Sequence, residues 1–535
     1  MSRAQRLRQW LNSAITMLLA GHRGDVILYA TAAGFAAMTV VVSKYADYRD
    51  WGLIAAGAYL VAAVASLWVF LRSRGHGELK DGHLGKRRRG EGQIEQLAGY
   101  RGFGPRRELR ASGQHRPSRW QLGILLFVLV GAMVVPLVLE VAWTASRLPG
   151  RHAQPEVAVV EKAAFRLTRG EDPYRIAGSR GCARCLASNR SGQVSGSRRR
   201  GLAPVRSVSK ASKYPVAGRP GAQHGTEKST KQSYKRYFPY LPGMMSFGLL
   251  SSVRGIGGAG DARISFALIT LVVVGIALLY WGRWREREFR ALQAMAVLPT
   301  AALPLATGGD DIPVLALMFL GVLLLDRRRP VLAGCVLAAA ASLKLTAWPL
   351  VVLAVFVALD GRGRRARGRI SLTMVGILVP VVLSGVAQGP AAFLDDVVRF
   401  PLGLAGIATP AASPLPGHMI ISVLPEWKYV FLAVMMVVGV VFLILMVSRH
   451  PLRTAADVTR LLGWLSLFAI AFAPATRFGY LIYPVNFFVW SWMLSPPRSN
   501  AVADRLVADG SHPAVQLEEA DENLRVINAP VRASI

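Results

Sequence analysis

The chain has 535 residues, of which 52% are hydrophobic and only 18% charged, with a mean hydropathy of +0.35 and a formal net charge of +33. So apolar a chain of this length is solvated largely by lipid, which excludes a soluble globular protein. Its cation excess lies in connections between apolar segments, which argues against nucleic acid as a partner, and its three cysteines, of which only Cys182 and Cys185 are close, make no disulfide framework.

In chain order, residues 1–25 carry Arg3, Arg6, Arg8 and Arg23 around Trp10, Leu11 and a short apolar run at 15–20. That run is too brief to cross a bilayer, and the pattern predicts a cytoplasmic amphipathic helix. A hydrocarbon core of roughly 30 Å needs about 20 apolar helical residues per crossing. Twelve candidate spans follow, at 26–45, 52–71, 122–145, 264–281, 291–307, 312–325, 331–343, 347–359, 370–388, 427–448, 461–476 and 480–494. The first two, 26–71, read as accessory helices, and the basic segment 72–119 as a cytoplasmic loop. Residues 120–495 form the membrane core, and 496–535 a polar, disordered cytoplasmic tail.

Alternation from a cytoplasmic N-terminus places the basic connections 72–119, 283–290, 326–330, 360–369 and 449–460 all inside, as the positive-inside rule requires. The expectation is a multi-pass plasma-membrane protein with both termini cytoplasmic. Residues 238–253 are apolar enough to consider as a span, but a crossing there would invert every later loop. Pro239, Pro242 and Gly243 suit a re-entrant or interfacial segment instead. The external loop 146–236 contains a basic stretch, 175–236, with fifteen Lys or Arg and the single acid Glu227. Its Gly, Ser and Arg richness predicts disorder, as an insertion or a locally shifted reading frame.

The outward ends of the spans collect Glu140, Glu156, Asp310, Asp311, Lys344 and Arg477. Ionisable groups at membrane depth cost roughly 2.5–3.5 kcal/mol each, so they generally have a partner or a function. Each also has a plainer reading. Lys344 can snorkel beside Trp348, Asp311 can cap the helix opening at Ile312-Pro313, and Glu156 can serve the dipole of a short amphipathic helix patterned by Val157, Val160, Ala164 and Leu167. The functional reading makes Glu156 a general base and lets the cations meet an anion.

Several motifs stand in an ordered series: Glu156 about sixteen residues before Gly170-Glu171-Asp172-Pro173-Tyr174, the Tyr237-Phe238-Pro239-Tyr240-Leu241-Pro242-Gly243 segment, Gly309-Asp310 leading an apolar helix, Arg-Arg-Pro-x-Leu-Ala-Gly at 328–334, and Leu343-Lys344-Leu345-Thr346-x-Trp348-Pro349. From about residue 122 to 494 the series resembles the GT-C membrane glycosyltransferases, specifically the family 87 group of polyprenyl-phosphate-dependent mannosyltransferases and their actinobacterial relatives.

The resemblance implies an all-α GT-C-like bundle of about twelve transmembrane helices with a large external loop. It implies metal-independent, inverting transfer of a sugar, mannose first among candidates, from a polyprenyl-phosphate donor to an envelope glycolipid or glycan, with no cofactor. The family's catalytic acid, usually Asp, falls on Glu156. Lys344, Arg477 and His418 would face the donor phosphate, Asp310 and Asp311 would contact substrate, and Asp172, Tyr174 and Tyr240 would shape the loop. A transporter or lipid flippase is the alternative, for which broken midspan helices and related halves would be expected. A non-enzymatic scaffold would leave the polar cluster unexplained.

Overall fold

The computed structural model describes residues 21–88, 117–146, 153–176, 236–253, 257–281, 286–356, 363–405, 411–449 and 452–495. The N-terminal amphipathic helix, most of the loop 72–119 and of the basic stretch 175–236, Cys182, Cys185 and the C-terminal tail lie outside the described residues. The described residues form helices and no strands; only an isolated bridge joins Ala412 to Thr476.

Each of the twelve predicted spans overlaps a helix among the described residues. Helix α1 covers Gly21–Val42, α2 Ala46–Arg88 and α3 Arg119–Ala145, the last with a π-helical turn at Val130–Val134. The amphipathic α4 is Pro155–Thr168. Then come α5 (Ala262–Trp281), α6 (Glu286–Thr307), α7 (Asp311–Asp326), α8 (Pro330–Leu343), α9 (Trp348–Phe356) and α10 (Gly363–Gln388). The short α11 (Pro390–Leu394) and α12 (Pro416–Val423) precede α13 (Lys428–Arg449), α14 (Ala455–Phe472) and α15 (Ile482–Leu494). Seven helices among the described residues are long and apolar enough to cross a membrane, and the chain is an all-α polytopic membrane protein. Residues 238–253 do not cross: they form two short 3-10 turns, Pro242–Gly248 and Leu250–Ser252.

Two helices show lipid acting as solvent. Both α7 and α13 are apolar all round, yet α7 buries every residue from Ile312 to Leu325 except Leu317, while α13 buries none. A uniformly apolar helix has no preferred face, so its neighbours decide whether it lies at the centre of the bundle or against acyl chains. Small residues let the central helices approach closely. Added at Gly321 of α7, a Cβ would lie 2.4 Å from Leu337, and at Gly334 of α8, 3.1 Å from the Ile370 carbonyl of α10.

Two basic connections depart from the solvated loops expected of them. Helix α10 already begins at Gly363, so Arg365, Arg367 and Arg369 lie on its first turns. Arg290 is buried rather than exposed: it bonds Asp25 at 2.5 Å and Glu286 at 2.6 Å, with Gln121 and Gln293 completing the carboxylate's partners. An ion pair between segments 265 residues apart is invisible to a loop-charge count. It also anchors α1, one of the two accessory helices, into the core. Helix α2 is anchored too, through Trp51 Nε1, which donates to the Ala132 carbonyl, and through the Tyr59 hydroxyl, which donates to the Val297 carbonyl. That last carbonyl is freed because α6 breaks at Leu298, where Pro299 interrupts the ladder.

Candidate functional site

Five connections, those leading into α4, α7, α9 and α15 and the segment holding Tyr240, converge at the end of the bundle opposite Asp25 and Arg290. Helix α4 begins where Pro155 fixes the first turn, placing Glu156 at the dipole's positive end. It buries Val157, Val160, Ala163 and Ala164 against the turn at Pro242–Gly248, where Gly248 sits so close that a Cβ would lie 2.7 Å from the Val160 carbonyl. Glu156 Oε1 accepts from Arg477 Nη1 at 2.6 Å. Arg477 precedes α15 in extended conformation and keeps 37% side-chain exposure. Burial opposes its charge, but the Glu156 carboxylate more than restores it, so Arg477 stays a cation throughout the accessible pH range.

Helix α6 ends in a left-handed Gly308 (φ 104°), and the amides of Gly308 and Gly309 both donate to the Pro304 carbonyl. Asp310 then occupies the cap position of α7 without making a side-chain cap. Both aspartates instead meet Lys344, whose Nζ is 3.1 Å from Asp310 Oδ1 and 2.5 Å from Asp311 Oδ1. Neither the capping reading of Asp311 nor the snorkelling reading of Lys344 describes this geometry. Lys344 is aimed inward by an extended break between α8 and α9, and Trp348 Nε1 donates to the Ala341 carbonyl left open at the end of α8. Burial acts against the lysine's charge, yet the two aspartates raise its pKa well above the ordinary value. Burial also pushes Asp310 up to about 6 against the pull of Lys344.

Tyrosines close the cluster. The Tyr483 hydroxyl donates to Asp311 Oδ1 at 2.6 Å, so the Thr346 hydroxyl, 2.8 Å away, must donate to Tyr483. The Tyr240 ring lies 5.4 Å from Lys344 Nζ, within cation–π range. Its segment is held by the Leu241 amide donating to the Leu343 carbonyl and by Gly243, where a Cβ would meet the Ser342 carbonyl at 2.8 Å. Tyr480 senses the charges of Lys344, Asp311 and Arg477, and Asp310 senses Glu156. Glu156, Asp310, Asp311, Lys344, Arg477 and Tyr240 therefore share one site.

Asp172 and Tyr174 stand behind it. Asp172 Oδ1 accepts from the Tyr174 amide, and the buried Tyr174 hydroxyl donates to the Tyr240 carbonyl at 3.2 Å. Tyr174 stacks edge-on with Phe238 and Phe393. His418 stands apart: its Nδ1 meets the Pro474 carbonyl at 3.0 Å, and since a carbonyl only accepts, that nitrogen carries the proton. Glu140 also lies outside the cluster, buried in α3 beside Arg263 and Asp47.

Sequence reading misses Tyr480, Tyr483, Gln154 and Asp396, and names Thr346 only within its motif. For the two tyrosines a signal existed, since an i, i+3 spacing puts both hydroxyls on one helical face. Asp396 is buried and accepts from the Phe238 amide at 3.0 Å. Burial raises its pKa from the usual carboxylate value to about 8, against the pull of that amide. The folded protein thus holds this proton more tightly than the unfolded chain, so the stability Asp396 contributes is fully present at low pH and is lost as pH rises from about 4 to 8. Thermal unfolding in detergent across that window is expected to show the decline, and Asp396→Asn to flatten it.

The Gly308 turn gives a second test. An added Cβ would lie 2.2 Å from Val157 Cγ2, on the helix that carries Glu156, and would occupy a left-handed conformation. Gly308→Ala is expected to lower the unfolding temperature and to reduce turnover, because relief of the clash requires α4 or the Asp310 turn to move.

Residues 244–474 match the family model of glycosyltransferase family 87, which bears out the resemblance over that region and indicates a membrane glycosyltransferase. The match contains Asp310, Asp311, Lys344 and His418; Arg477 lies just beyond it, and Glu156, Asp172, Tyr174 and Tyr240 precede it. No curated protein and no solved structure matches the chain.

Proposed function

We propose, from the premise of a membrane glycosyltransferase with a family 87 region at residues 244–474, that this chain transfers a sugar, mannose in the first instance, from a polyprenyl-phosphate carrier to a glycolipid or glycan acceptor at the outer face of the plasma membrane. The observation that carries the reading is the Glu156–Arg477 pair, a base candidate and a half-open cation in direct contact.

Glu156 takes the proton of the acceptor hydroxyl as its oxygen attacks the anomeric carbon. The bond from that carbon to the phosphate oxygen breaks, its electron pair leaves with the polyprenyl phosphate, and the configuration inverts. Arg477 is better placed than Lys344 to meet the phosphate, because two aspartates already occupy the ammonium while the guanidinium keeps N–H groups beyond its bond to Glu156. As charge grows on the leaving phosphate, Arg477 is drawn toward it and stabilises the developing anion. Lys344, Asp310 and Asp311 brace the floor, with Tyr240 above the ammonium.

A transporter would use the break at Leu298 to line a midspan cavity. The carbonyl freed there is instead taken by Tyr59, which favours the enzyme reading. Membranes containing the chain are expected to transfer radiolabel from polyprenyl-phosphate mannose to envelope lipid above membranes lacking it. Absence of transfer with this donor, alongside transfer from another polyprenyl-phosphate sugar, would reassign the sugar.

A further inference from the structure

The accessory hairpin of α1 and α2 lies outside the matched region, yet its outer turn reaches the site. Tyr48, on the first turn of α2, accepts a hydrogen bond from Gln154 Nε2 at 2.9 Å. The same amide nitrogen donates to Thr307 Oγ1 at 2.5 Å. Thr307 already donates its own proton to the Leu303 carbonyl, so its oxygen accepts, and this sets the orientation of the Gln154 amide. The Gln154 backbone amide also approaches the Thr307 carbonyl at 3.4 Å.

Gln154 is the residue from which α4 starts, two positions before Glu156, and Thr307 is the last residue of α6 before the Gly308–Asp310 turn. One side chain therefore ties together the start of the helix bearing the proposed base, the turn bearing the aspartates and the N-terminal hairpin. Gln154 provides no side-chain cap to its own helix. With Gln154 donating, the Tyr48 hydroxyl keeps its proton to donate, and the charges it senses are Glu156, Asp47 and Arg477.

We infer that Tyr48 is a positioning residue for Glu156, acting through Gln154, and that the N-terminal hairpin is a working part of the active site. The inference deepens the proposed function and rests on Glu156 being the base. A general base must stand within about 3 Å of the proton it takes, so a hydroxyl that fixes the first turn of α4 acts on turnover more than on affinity.

The test is Tyr48→Phe, which keeps the ring and its contact with Tyr45 at 5.4 Å and removes only the hydroxyl. Hydrogen exchange by mass spectrometry is expected to show faster exchange in peptides covering 153–160, with peptides of α13 unchanged. Transfer assays are expected to show kcat reduced roughly tenfold with KM within about twofold, in line with the loss of one orienting contact. Tyr48→Phe combined with Gln154→Leu is expected to be no worse than Gln154→Leu alone, since both remove one junction.

Unchanged exchange at 153–160 overturns the inference whatever the kinetics. Glu156→Gln, measured alongside, separates the two readings. If it retains full activity while exchange at 153–160 rises in Tyr48→Phe, the base assignment fails and the junction stands. If Glu156→Gln is inactive and Tyr48→Phe matches wild type in kcat and KM, the positioning role fails and the base stands.

Discussion

Glu156→Gln is expected to abolish sugar transfer, lowering kcat by about a thousandfold, within the range of about 10²–10⁴ that a positioned base contributes. Expression and the unfolding temperature should stay near those of the wild type. Glutamine has the same length, and its carbonyl oxygen can still accept from Arg477, which now bonds Glu156 Oε1 at 2.6 Å. What it loses is the capacity to take a proton. Glu156→Asp keeps that capacity but withdraws the carboxylate by one methylene, and should retain part of the activity while loosening the contact with Arg477. The assay is transfer of labelled mannose from polyprenyl-phosphate mannose in membranes matched for protein level. Full activity in Glu156→Gln would remove it as the base and direct attention to Asp310, which burial has already pushed toward the basicity a proton acceptor needs.

The membrane architecture was legible because lipid imposes a simple demand: a run of apolar residues long enough to hide its backbone polar groups. Each of the twelve runs overlaps a helix, and Pro239, Pro242 and Gly243 fall in a segment that forms short 3-10 turns and no spanning helix. The site was partly legible for the opposite reason, since Asp310, Asp311, Lys344 and Arg477 are conspicuous against apolar helices. Their pairing was not. Lys344 lies 33 residues from Asp311, and Arg477 lies 321 residues from Glu156, distances over which composition and periodicity carry no information. The hidden contributors are mostly uncharged. Gln154, Thr307, Tyr480 and Tyr483 look like ordinary helix-end residues, and their roles follow only from which helix ends meet. Arg290 failed in the other direction: a cation that fits a cytoplasmic loop by count turned out to be a buried partner of Asp25.

The largest effect on stability is expected from Lys344→Met. The ammonium pairs with two carboxylates at once, and its side chain is only 14% exposed, with Asp310 at 3% and Asp311 at 18%. Removing one partner of a buried pair typically costs about 3–5 kcal/mol, because the remaining charge has neither water nor counterion. Against a total stability of about 5–15 kcal/mol, that is enough to lower the yield of folded protein and to drop the unfolding temperature in detergent sharply. Methionine retains the apolar stem beneath Tyr240, so lost packing contributes little. The companion variant, Lys344→Met with Asp311→Asn, identifies the cause. It removes one stranded charge while leaving an oxygen to accept from Tyr483, and Asp310 can take up a proton, as its raised pKa already favours. If buried charge is the cause, the double variant recovers a substantial part of the lost stability while transfer stays low, because the braced floor beneath Glu156 and Arg477 is gone. A double variant no more stable than Lys344→Met would assign the loss to the shape of the lysine side chain, and the aspartates would then have to be neutral in the folded protein without it.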